Sequence, residues 1–278
     1  MGFEPMMRSI LSRRILGALV IAICAYLILP TLAVVPVSFT RTDFIIFPPR
    51  GFSLQWYDVF FNHPSWRNAT LISIAVATAA AICSTVIGTL AAFGLNRLTG
   101  PMARGVIWLL LLPMLVPSIV LAVAFFSGLA RLGIVGTKVG LVVAHTIIAL
   151  PFVVINVSAS IQKLDWRMVS AARSLGAHPL TAFRKVALPA VLPGILAGAV
   201  FAFLTSFDEV VVALFISGVD AVTLPVQMWN GIRFEISPAV AASSSILLLL
   251  SIVFLSIGAL LSRYGSGGTR SAVEMRNR

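Results

Sequence analysis

Long apolar blocks without a single charge dominate this chain and restrict its fold more than any other feature. Residues 15–40, 68–96, 105–130, 139–162 and 236–262 contain no Asp, Glu, Lys or Arg. A bilayer core of about 30 Å is crossed by roughly 20 helical residues, so each block is long enough to span it. A sixth block, 186–207, is followed by Asp208 and Glu209 and then by a second apolar run, 210–219. Barrel strands would be about 10 residues long and would alternate in polarity; these blocks do not alternate. A helix, in contrast, satisfies its own backbone groups in hydrocarbon. The chain therefore reads as an all-α integral membrane protein. Six transmembrane helices are expected near 15–37, 68–96, 105–129, 139–161, 190–217 and 238–262.

Composition closes the soluble alternative. Hydrophobic residues make up 59% and charged residues 10%, with a mean hydropathy of +1.03, too little polar surface to cover a globular domain. The net charge of +11 raises the question of nucleic acid, but its placement answers it. Fourteen of the twenty Lys and Arg residues fall in 1–14, 97–104, 163–185 and 263–278, the segments on one side of a six-span topology. That is the bias of the positive-inside rule. It puts 1–14 and the tail 263–278 in the cytoplasm and 15–262 in a six-helix membrane domain, whose longest inner loop is 163–189. The basic residues orient the chain, and no nucleic-acid partner is expected. The first block is read as a retained helix, because no small-residue cleavage pattern follows it. Cys24 and Cys83 both lie inside spans, which leaves no disulfide framework or metal site to expect.

Several residues inside the spans stand out. Pro113 and Pro117 interrupt the third, and each removes a backbone donor. Such a helix is expected to kink and to line a cavity or be buried in protein. His145 and Asn156 read as interhelical hydrogen-bonding groups, and Gly194 with Gly198 forms a small-xxx-small pair suited to close helix approach. Asp208 and Glu209 are the acidic residues placed within a span, where an ionised group is costly and faces a cavity or a partner. In the first outer segment, Ser53 caps a short interfacial helix on which Leu54, Tyr57 and Phe61 share a face. No catalytic constellation is present: Gly133–Lys138 does not fit the spacing of a phosphate-binding loop, and neither HExxH nor a Ser/His/Asp set stands out. The driving force lies on another chain or in an ion gradient.

The inner loop reads as two short helices. The first runs from near Asp165 to Leu175 and stops at Gly176; the second starts after Pro179 and ends where the fifth span begins. Ala171, Ala172, Gly176, Leu188 and Pro189 match in register the signature that permease subunits of ABC importers carry in this loop. That signature is Glu-Ala-Ala, three residues, Gly, nine residues, Ile-x-Leu-Pro; Val186 stands for Ile and Ser170 for Glu. Further on, Gly51-Phe52-Ser53-Leu54-x-Trp56-Tyr57, Asp208-Glu209-Val210-Val211-Val212 and Thr223-Leu224-Pro225 resemble the spermidine/putrescine branch of that family, and its second permease subunit most.

The resemblance implies the MetI-like fold of type I importers, with a cytoplasmic coupling helix, in a bacterial inner membrane. It implies that Ser170, Ala171, Ala172, Gly176, His178, Pro179, Phe183, Leu188 and Pro189 form the surface that docks an ATPase. The implied partners are a homologous second permease, two ATP-binding cassette ATPases that hold ATP and Mg, and an extracytoplasmic solute-binding protein. This chain would then bind no cofactor and perform no catalysis. Asp208, Glu209, Pro113 and Pro117 are its expected pathway residues, and the solute a polyamine or a related cationic compound. Opines, amino acids and iron are carried in the same branch. A secondary transporter would need coupling-ion groups and an internal repeat, and neither is clear.

Overall fold

The structure, a computed structural model, describes residues 4–235, 237–253 and 256. The tail 263–278 and the end of the expected sixth span lie outside the described residues. The helices are α1 (Glu4–Ser38), α2 (Gln55–Asn62), α3 (Pro64–Leu95), α4 (Gly100–Leu115), α5 (Ser118–Arg131), α6 (Lys138–Gln162), α7 (Trp166–Ser174), α8 (Pro179–Ala182), α9 (Leu188–Phe207), α10 (Val211–Ile216) and α11 (Leu224–Asn230). A shorter apolar helix, α12, covers Ala239–Val253. Four segments are long and apolar enough to cross a bilayer: Ile15–Ser38 within α1, α3, α6 and Pro179–Phe207. The pair α4–α5 makes a fifth if it is one broken span. The described residues thus hold four spans, or up to five, against the six expected. The α1 segment leaves Tyr26 79% and Leu29 67% exposed, apolar surface that only lipid or protein can cover.

The expected third span is not one helix. Between α4 and α5 the chain turns by 105°. Val116 and Pro117 are both extended, with ψ of 134° and 135°. A residue before proline is driven out of the α region, and Pro117 has no N–H to continue the ladder; Pro113, one turn earlier, is tolerated inside α4. Helix α4 buries none of its residues, but its first half lines a cavity against α3 and α6, one of the two roles expected of a proline-broken span.

Packing divides the chain into two units. One contains α1, α2 and residues 230–248. In it the Trp56 indole N–H donates to Thr40 O at 3.0 Å, and the Tyr57 hydroxyl lies 2.7 Å from Ser38 Oγ. The face expected on α2 therefore divides. Tyr57 turns to the end of α1, Phe60 is buried, and Leu54 and Phe61 point outward. Helix α2 starts one residue later than expected, with Ser53 Oγ accepting from Gln55 N–H.

The other unit is built on α3, α6 and α9, which pack on one another throughout. Small residues make this possible. A Cβ on Gly194 would lie 2.6 Å from Ser160 Cβ, and one on Gly198 would lie 3.0 Å from Val153 Cα, so both glycines of the small-xxx-small pair sit where α6 crosses α9. Val153, Val157 and Ile161 of α6 then bury themselves against Ala187, Val191 and Ala202. A second cluster joins Ala122 and Leu129 of α5 and Leu141 and Ala144 of α6 to Val212, Ala213 and Ile216 of α10. The loop before α6 is tied to it by Gly136 N–H donating to Ile216 O at 2.8 Å.

Candidate functional site

Two sets of residues were expected to matter, and the fold separates them. The first is the inner loop. Asp165 Oδ1 accepts from Arg167 N–H at 2.9 Å and caps α7. At its other end Ala177 N–H donates to Ala172 O and Gly176 N–H to Arg173 O, at 3.1 and 3.0 Å. This pair of bonds is the Schellman arrangement, which needs a left-handed residue, and Gly176 has φ +88°. The sharp stop exposes Leu175 by 90%, with Met168 at 60% and Leu180 at 57%. Around it Ser170, Arg173, Ser174, Gly176, Ala177 and Pro179 line a shallow concavity. Ala171 and His178 are exposed and Ala172 is half-buried. Ser170, where the family signature has Glu, is exposed and donates its hydroxyl back to Trp166 O at 3.2 Å.

The second half of this loop differs from expectation. No separate helix ends before the fifth span; residues Pro179–Phe207 run as one helical segment. Phe183–Ala187 is a π-turn, in which Leu188 N–H reaches back to Phe183 O. Pro189 cannot donate and would clash with the carbonyl four residues earlier in an α-helix. The wider turn absorbs that defect without ending the helix. Phe183 packs edge-on against Phe93 of α3 at 5.0 Å, Leu188 is half-buried and Pro189 exposed. The second half of the loop, from Pro179 on, is thereby one helical piece with α9. Leu175 and Met168 were missed in the sequence, although large apolar residues beside Arg167 and Arg173 were the available signal.

The second set is the acidic pair, which lies outside any helix. Helix α9 ends at Phe207, and Asp208 is its C-cap, its N–H donating to Leu204 O at 3.0 Å. Glu209 turns the other way, and its Oε1 accepts from Val212 N–H at 3.0 Å at the start of α10. Two carboxylates can be accommodated here because the break offers a free backbone donor to one of them. Asp208 is an exposed residue, and its carboxylate has no hydrogen-bond or ion-pair partner among the described residues. Just inside the break, Ser206 Oγ lies 2.9 Å from His145 Nδ1, the interhelical bond expected of that histidine. His145 is 1% exposed. Asn156 does not bridge helices; its Nδ2 donates to Phe152 O in its own helix. Ser73 Oγ accepts from Leu224 N–H at 2.7 Å, a tie between α3 and α11 that the sequence did not signal. Pro113 is half-buried inside α4, and Pro117 is exposed at the α4–α5 break.

Residues 84–264 match the family described as binding-protein-dependent transport system inner membrane component. The spermidine/putrescine transport system permease protein PotC of Escherichia coli is 33% identical over 264 residues, covering 95% of this chain and 100% of the relative. That of Haemophilus influenzae is 32% identical, covering 89% and 96%. The trehalose transport system permease protein SugB of Mycobacterium tuberculosis is 28% identical, covering 83% and 87%. Among solved structures, a bacterial ABC transporter for import of the acidic polysaccharide alginate superposes with a TM-score of 0.69 at 13% identity, covering 95% and 97%. The MetNI methionine ABC transporter in an inward-facing form gives 0.59 at 20%, covering 71% and 94%.

Proposed function

The chain belongs to the family of inner-membrane components of binding-protein-dependent transport systems, as an ABC-importer permease subunit, and from that premise we propose that it carries polyamines across a bacterial inner membrane. The solute follows from the PotC relatives, which are 32–34% identical over nearly their whole length. A permease subunit carries no catalytic group of its own. We assign the six-span topology, with both termini and the α7–α8 element cytoplasmic. A second permease would complete the channel, two ATPases would bind below and a solute-binding protein would dock outside.

The observation that carries this reading is the α7–Gly176–α8 element: a capped helix, a left-handed stop and an exposed Leu175 on a basic surface, continuous with α9. An exposed apolar tip beside Arg173 is suited to insertion into a partner's groove. When ATP closes the ATPase dimer, the docked tip moves with it. A continuous segment transmits that movement to the far end of α9, where Asp208 lies. The pathway then opens to the outside, receives the solute and returns on hydrolysis. Asp208 would meet the cation as it sheds water; Glu209, engaged with Val212 N–H, would hold the break open.

Co-expression tests this directly. An affinity-tagged chain should retain a second permease and an ATPase through purification. Proteoliposomes of that complex should take up radiolabelled spermidine only with both ATP and the binding protein. Uptake by this chain alone, driven by an ion gradient, would overturn the proposal in favour of a secondary transporter.

A further inference from the structure

A cavity of ≈ 300 Å³ opens where the C-terminal ends of α3 and α6 meet the first half of α4. Leu95 and Ile107 line part of it, and Asn96, Arg104, Ser158 and Gln162 supply its polar atoms. None of these four polar side chains has a hydrogen-bond or ion-pair partner among the described residues, and no acidic residue lines the cavity. Its volume lies at the lower end of small-ligand sites.

We propose that this cavity holds the headgroup of an anionic glycerophospholipid of the cytoplasmic leaflet, with an acyl chain running along Leu95 and Ile107. The proposal rests on the orientation assigned above, which places these helix ends at the inner surface. A guanidinium offers a planar fork of donors matched to phosphate oxygens. The amides of Asn96 and Gln162 and the Ser158 hydroxyl supply further donors for the remaining oxygens. Arg97 and Lys163 are exposed and adjoin Asn96 and Gln162 in the chain, which adds positive potential at the mouth. Basic pockets between helices at the cytoplasmic side favour anionic headgroups for this reason. The mixture of one apolar wall and one donor-rich wall fits an amphiphile. A polyamine would be repelled by Arg104, so the cavity is not a second solute site.

Native mass spectrometry of the purified complex, equilibrated with equal phosphatidylglycerol and phosphatidylethanolamine, tests the assignment. Wild type should retain phosphatidylglycerol preferentially. R104Q should lower that preference about fivefold, the effect of one basic residue near an anionic surface, whereas R131Q, at the outer end of α5, should not. A measurement without substitution stands beside it: phosphatidylglycerol with a photoreactive acyl chain should label the 92–107 peptide, competed by phosphatidylglycerol and not by phosphatidylethanolamine. Equal lipid retention in R104Q and R131Q would overturn the site, as would labelling competed equally by both lipids or the second permease cross-linked at 92–107. Labelling of a cysteine at position 175 reads the orientation independently, so failure of the orientation is distinguished from failure of the site.

Discussion

Asp208 and Glu209 are neighbours with different surroundings. Glu209 accepts a backbone N–H, while the carboxylate of Asp208 is unpaired among the described residues. Replacing Asp208 by Asn preserves size and removes the charge. If the carboxylate meets the cation, D208N should raise the half-saturating spermidine concentration roughly tenfold, equivalent to about 1.4 kcal/mol. Complex assembly and basal ATP hydrolysis should stay near wild type. Uptake kinetics at limiting solute provide the check, and an unchanged half-saturation removes Asp208 from the pathway. The presence of an acidic pair near a span was legible in the sequence. Which of the two would be free was not, because that depends on where α9 stops and α10 begins. Ser170 poses the same difficulty: its substitution for Glu is visible, but its hydroxyl bond to Trp166 O is a matter of local geometry.

At the scale of the element, the capped stop at Gly176 is the feature most exposed to test. A Cβ there would meet nothing within 4 Å, so space is not the obstacle; the φ of +88° is. A β-branched residue in that region costs about 1–3 kcal/mol of strain, enough to redirect the chain at an exposed turn. G176V should insert in the membrane at wild-type levels and retain markedly less ATPase on purification. Full ATPase recovery with full solute-stimulated hydrolysis would show that the turn does not couple. The helix stop was readable from Gly176 alone, because few other residues tolerate the conformation. The continuity of Pro179–Phe207 was not. Pro189 reads as a breaker, and only the π-turn at Phe183–Ala187, packed through Phe183 on Phe93, shows how the helix passes it. Pro117 is the opposite case: an extended Val116 before it turns the chain by 105° and divides an apolar block that reads as one span.

For the whole molecule, the decisive prediction is topological. In a background lacking Cys24 and Cys83, cysteines replacing Arg50 and Asp220 should react with an impermeant thiol reagent in intact cells. A cysteine replacing Leu175, which is 90% exposed, should react only after the membrane is opened. Reaction at 175 from outside would invalidate both the orientation and the coupling assignment. The membrane class was legible in the sequence itself, and so was an expected orientation. Transfer into hydrocarbon sums over a block of some 20 residues, and the basic bias sums over loops, so neither depends on how the helices pack. The boundaries were decided by tertiary structure. Whether a helix ends at Phe207, passes Pro189 or turns at Pro117 depends on which backbone groups find partners. Those partners come from packing: α6 lies close enough to α9 for Gly194 and Gly198 to be required, and Ser73 of α3 is in reach of the Leu224 amide. Single residues decide such balances by a few kcal/mol, below what the polarity of a 20-residue block can resolve.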